Sequence, residues 1–201
     1  MTREQQRKFK ELQRTLSGML KEKIKEYKFK KKDYMIWFCK DDLFYDLMIH
    51  VAVPDDGRCI CSAVETLKPL WLDELLWDFL NMPDNKKEPY SLRAIGAFTV
   101  EGSQIYKECR DLANWDVREL EQCVDAYLEH FSQTIRTGTT DDFYTYLEAS
   151  PYHVELRRSL SLIHQGQHQE ALAYLKDKGQ GIFCNAGIWI NEAMREYCKT
   201  Q

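Results

Sequence analysis

The chain has 201 residues, 44% of them apolar, 30% charged and 12% aromatic, and a formal net charge of −4. This composition can fill a core and is too aromatic for a disordered chain. No run approaches the ~20 apolar residues that a bilayer requires, and the charged segment 1–10 has no signal-peptide core, so a soluble cytoplasmic protein is expected.

Charge is unevenly placed. Residues 1–33 hold twelve Lys or Arg against five Asp or Glu, and the rest holds sixteen against twenty-seven. Within this basic arm, Phe9, Leu12, Leu16, Leu20 and Ile24 recur every three or four positions, which predicts an amphipathic helix from Arg3 to about Tyr27. Lys28, Lys30, Lys31 and Lys32 follow, with Tyr27 and Phe29 interleaved. Such a cluster could meet phosphates, but Glu22 and Glu26 can neutralise lysines locally, and the acidic remainder repels polyanions. Nucleic acid is therefore the third-ranked partner.

The rhythm then changes from every third or fourth residue to every second. Tyr34–Lys40, Leu43–Val53 and Arg58–Leu67 read as strands, separated by the turn sequences Lys40-Asp41-Asp42 and Pro54-Asp55-Asp56-Gly57. In the second strand, Leu43, Tyr45, Leu47, Ile49 and Val51 form an apolar face, while Phe44, Asp46, Met48 and His50 form a mixed one. Pro69–Leu80 reads as a short helix, residues 81–90 as a loop, and Arg93–Val100 as a fourth strand whose Gly96 implies a bulge or a close backbone approach. The fold class expected is α+β, with an antiparallel sheet of about four strands against the first helix and a long later helix.

Helices are expected from about residue 103. Asp116 to Glu119 has the form of a capping box, opening a long helix through Val117, Leu120, Val124, Tyr127, Leu128, Phe131 and Ile135 that ends near Gly138. Thr139 and Thr140 can cap a short helix with Phe143. Ser150-Pro151 reads as a cap and first-turn proline for a helix to His164, Gly166 turns the chain, and further helices run over 167–176 and about 185–199. Two units follow: an α+β domain at 1–136 and a helical module at 139–201.

Residues 165–172, Gln-Gly-Gln-His-Gln-Glu-Ala-Leu, resemble the turn of a tetratricopeptide repeat, over a hairpin at about 152–178. His168 stands where that family usually has tyrosine, and Ala171 matches its small residue. Stacks need about three units and no second copy is present, so the resemblance implies packing more than a peptide-binding array. Residues of about 9–135, with Phe29-Lys30-Lys31-Lys32 and Ser91-Leu92-Arg93-Ala94-Ile95-Gly96, resemble small uncharacterised bacterial α+β domains, a likeness that implies a fold and no activity.

For chemistry, the sequence has no nucleophile elbow, P-loop, dinucleotide-binding glycines or zinc-protease helix. Seven cysteines, at 39, 59, 61, 109, 123, 184 and 198, are odd in number and include no CxxC pair, so reduced thiols are expected. No histidines stand at clear metal-ligand spacing, and no cofactor or metal is expected. The mixed sheet face offers the best groove, lined by Trp37, Asp46, His50, Glu65 and Arg93. Asp46 and His50 lie about 13 Å apart at ~3.3 Å per residue, so they can share a groove but not a hydrogen bond. No catalytic residue is assigned. The leading expectation is a non-enzymatic bacterial protein that contacts another protein, in a regulatory, immunity or accessory role. A small-ligand binder or enzyme using the groove is the alternative.

Overall fold

The computed structural model describes all 201 residues. The first helix, α1 (Arg3–Glu26), opens on a capping box between Thr2 and Gln5 and buries Leu12, Leu16, Leu20 and Ile24. Five antiparallel strands follow in a meander: β1 (Lys30–Lys32), β2 (Met35–Lys40), β3 (Leu43–Ala52), β4 (Ile60–Pro69) and β5 (Ser103–Asp111), in spatial order β1-β2-β3-β4-β5. Helix α2 (Leu70–Phe79), a 3-10 turn (Pro83–Lys87) and α3 (Ser91–Ile95) lie between β4 and β5. Then come α4 (Val117–Thr137), α5 (Thr140–Thr145), α6 (Val154–His164), α7 (His168–Leu175), a small hairpin β6 (Cys184–Asn185) and β7 (Ile188–Trp189), and α8 (Ile190–Thr200). No helix is long and apolar enough to cross a membrane.

The register fixes what each sheet face carries. Tyr45 pairs with Phe38 and Leu67, and Leu47 with Ile36 and Glu65, so these side chains share one face. There α1 and α4 pack, and a single apolar cluster of 37 buried residues runs from Leu12 through Phe131 to Cys198. Asp46 pairs with Trp37 and Thr66, and Phe44 with Cys39 and Lys68, on the opposite face. On that second face α3 packs against β1 and β2, and Lys68 meets Asp73 of α2 and Val100 of the segment leading into β5.

Several expectations change here. Residues 93–100 are not a strand: 91–95 form α3, whose end is capped by Gly96 N–H donating to Leu92 O at 2.7 Å. The close approach at Gly96 is to this same turn, where an added Cβ would lie 2.4 Å from Leu92 O. The outer strand is instead β5, in the stretch expected to be helical. Its residues Lys107, Glu108, Arg110 and Asp111 conceal the alternation, because an edge strand leaves both faces partly wet and needs no apolar set. A bulge opposite Glu65 and Thr66 breaks its period as well. The lysine run Lys30–Lys32 is also a strand, the opposite edge of the sheet, with lysines where edges are commonly protected by charge.

Two helix starts move. Pro151 does not open α6; the helix begins at Val154 after His153, which adopts a left-handed conformation with φ 55°. Residues 185–189 form the β6–β7 hairpin, so the last helix starts at Ile190. Asp116 does cap α4, accepting from Arg118 N, but Glu119 reaches to Asn114 rather than back to Asp116.

A candidate ligand cleft on the far face of the sheet

The site begins with β4. Thr66 and Lys68 alternate onto the far face, and beside them β3 contributes Asp46 and Met48. Pro69 then turns the chain into α2, which places Asp73 in the first turn, completely buried. Asp73 Oδ2 lies 2.8 Å from Lys68 Nζ and 3.4 Å from Arg93 Nη1, and its Oδ1 accepts Val100 N–H at 2.8 Å. One carboxylate thus ties β4, α2, α3 and the segment before β5 together. Lys68 also donates to Val100 O at 2.7 Å and Arg93 O at 3.1 Å. Arg93 further reaches Leu70 O and Glu74, with its guanidinium 4.7 Å from the Trp77 ring. Buried charges of this kind persist only when paired and hydrogen-bonded, as these are.

Above this floor a cleft of about 380 Å³ opens, lined by Asp46, Thr66, Lys68, Arg93, Glu101 and His153 and walled by Met35, Met48, Val64 and Phe183 among others. Asp46 is 8% exposed. Its Oδ2 accepts from Thr66 Oγ1 at 2.8 Å, and its Oδ1 has no partner in the protein. Burial pushes its carboxyl up to about 6, against the pull of the Thr66 hydrogen bond and the Lys68 charge. Glu101 Oε1 accepts from Ser150, its other oxygen is free, and burial also raises its pKa. His153 Nδ1 accepts Glu101 N–H at 3.0 Å, so in the neutral ring the proton is on Nε2, and burial lowers the imidazole pKa.

The loop that presents His153 is held by Arg157, which no sequence pattern marked. Its fully buried guanidinium donates to the carbonyls of Leu147, Ser150, Tyr152 and Glu101. Next to the cleft, sharing His153 and Phe183, lies a second hollow of about 620 Å³ with Val154, Leu156 and Ile190 in its wall. Tyr152 and Ile182 border it and are 70% and 61% exposed.

Of the five groove residues expected from sequence, Asp46 and Arg93 meet in the cleft. Arg93 arrives on a helix rather than a strand. Trp37 is on the same face but outside the cleft, stacked on Phe44 at 5.7 Å with its Nε1 buried and unpartnered. His50 is also on that face, farther along β3, exposed and in contact with Ser62 Oγ. Glu65 is a correction: it points to the opposite, α4-packed face, because it pairs with Leu47 and not with Asp46. There it is completely buried, 2.8 Å from His130 Nδ1 and 2.7 Å from Thr134 Oγ1. In the basic arm, Lys23 pairs with Glu121 and Asp125 of α4, while Lys28, Lys30 and Lys32 make no ion pair. No three His, Cys, Asp or Glu side chains converge to hold a metal ion, and all seven cysteines are free thiols.

Sequence reasoning missed Lys68, Glu101, His153 and Arg157. Lys68 had a signal in principle, since it stands on the Asp46 face of a strand. Glu101 lies in the segment before β5, and His153 and Arg157 lie together at the start of α6 about fifty residues later, with no spacing that links either place to the Asp46 face. Comparison with protein-family models, curated proteins and solved structures gives no match for this chain.

Proposed function

We propose that the protein binds a small molecule in the cleft over Asp46. The observation that carries this reading is a carboxylate nine-tenths buried with one oxygen unpartnered and turned to a cavity of about 380 Å³. That oxygen is not sealed in the interior, as the orphaned Trp37 Nε1 and Ser161 Oγ are, so it is open to a donor that enters the cleft. Apolar walls with a few converging polar groups and a shifted carboxyl are the usual make-up of a ligand site. The reading is one of binding; a reaction would need a nucleophile or a second group poised on a substrate, and no such pair is formed.

The test is a fragment screen by protein NMR, observing amides of β3, β4 and residues 96–101. Ligands that shift those amides in the native protein, and no longer do so after Met48→Trp fills the cleft, support the reading. A screen in which no compound perturbs the cleft would sink it.

The protein-partner reading stands second, on the exposed Tyr152 and Ile182 beside the larger hollow. Replacing both with Ser separates the two readings: cleft ligands keep their affinity if binding belongs to the far face of the sheet.

A further inference from the structure

The donors and acceptors around the cleft are not evenly consumed. Lys68 has three N–H donors, and Asp73, Val100 O and Arg93 O take all three. The two terminal nitrogens of Arg93 are turned to Asp73, Glu74 and Leu70 O. The cations of the site are thus spent on holding the fold. The acceptors are not: Asp46 Oδ1 and the second oxygen of Glu101 have no hydrogen bond. Arg157, the remaining buried cation, gives four of its five N–H donors to carbonyls. An anionic ligand would meet two carboxylates and few free donors, whereas a cation would meet two open acceptors.

Resting on the cleft reading above, we infer that the ligand carries a protonated primary amine, held between Asp46 and Glu101, with its apolar part against Met48, Val64 and Phe183. An ammonium supplies up to three N–H donors, enough to satisfy both free carboxylate oxygens, and charge-assisted bonds of this type are about twice as strong as neutral ones. The neutral imidazole of His153 offers one N–H on Nε2, suited to a hydroxyl or carbonyl oxygen elsewhere on the molecule and too little to hold a carboxylate. The carboxyl of Asp46, raised by burial, is pulled back down by a cation beside it, which favours its ionised form.

Three probes of one shape and different head groups decide this: 3-methylbutylamine, 3-methylbutanol and 4-methylpentanoate, titrated at pH 7.5 into the native protein and into Asp46→Asn and Glu101→Gln, with binding followed by amide shifts. The amine is expected to bind at least tenfold more tightly than the alcohol, with the carboxylate weakest. In Asp46→Asn the preference of amine over alcohol should fall close to one. Asp46→Asn conserves size and the Thr66 hydrogen bond, so its fold is checked by the amide spectrum itself. A carboxylate that binds as tightly as the amine overturns the inference, and so does an amine preference that survives both substitutions. If none of the three binds while other fragments occupy the cleft, the amine assignment fails and the cleft reading stands. If nothing at all binds, both fall.

Discussion

Lys68 Nζ and Asp73 Oδ2 are 2.8 Å apart, and neither side chain reaches solvent. The pair joins the fourth strand to the first turn of the helix that follows it, across a tight turn at Pro69. Removing one partner of such a pair strands the other in the interior. Asp73→Asn should therefore cost roughly 3–5 kcal/mol, since it leaves the Lys68 ammonium with carbonyls alone. Lys68→Met should cost less, because Asp73 keeps Arg93 and the Val100 amide. Urea unfolding of both variants and their double measures the coupling. Equal losses for the two single variants would contradict the hub role assigned to Asp73.

Asp46 makes the opposite prediction. Its folded carboxyl is at about 6 against an ordinary 3.8, so the folded state holds the proton more tightly than the unfolded chain. Stability from this group is fully present below about pH 4 and is lost as pH rises through about 6. A gap of about two pKa units corresponds to about 3 kcal/mol. Asp46→Asn, which cannot ionise, should be more stable than the native protein at pH 7 by up to that amount, with the difference closing near pH 4. Thermal melts from pH 4 to 7.5 check it. A variant less stable at neutral pH would mean that the ionised carboxylate has an unrecognised favourable partner.

Arg157 organises the loop 147–153 through its four carbonyl bonds. Arg157→Met keeps much of the apolar stem and leaves those carbonyls unpaired. Each buried unsatisfied group costs about 1–3 kcal/mol, so a loss of at least about 3 kcal/mol is expected, accompanied by increased amide exchange at 150–154. A stable variant with unchanged exchange there would show that the loop is held by packing alone.

Glu65 and His130 provide a fourth check, on the other face of the sheet. His130 is partly exposed and stacks on Tyr106 with ring centroids 3.8 Å apart, while its Nδ1 faces the buried carboxylate. His130→Phe preserves the stacking and removes the donor, leaving Thr134 as the only partner of Glu65. A loss of about 1–3 kcal/mol is expected at pH 7, and adding Glu65→Gln should recover part of it. No recovery would place the loss in the ring contact instead.

The far face of the sheet was half legible in the chain. Alternation along residues 43–53 marked Asp46 as facing away from the apolar set, and it does. The same rule, applied to β4 with the correct register, would have put Glu65 with Leu47 and Lys68 with Phe44. What was lacking was the pairing offset, because one residue of slip moves every side chain to the other face. β5 stayed hidden for a different reason. Its strand character comes from an open edge on β4 that accepts its hydrogen bonds, and a wet edge leaves no apolar period in the sequence.

Periodicity and capping chemistry are local, and they determined the α+β class, the first helix, the hairpins at Asp41-Asp42 and Gly57, and the long helix stopped at Gly138. The cleft is not local. Asp46, Lys68, Arg93, Glu101 and His153 come from five separate segments, brought together because α3 packs on β1 and β2, Asp73 ties Lys68 to Arg93, and His153 accepts from Glu101 N–H. Only that docking decides which carboxylate is buried and which cations are already occupied, and those two facts set the chemistry of the site.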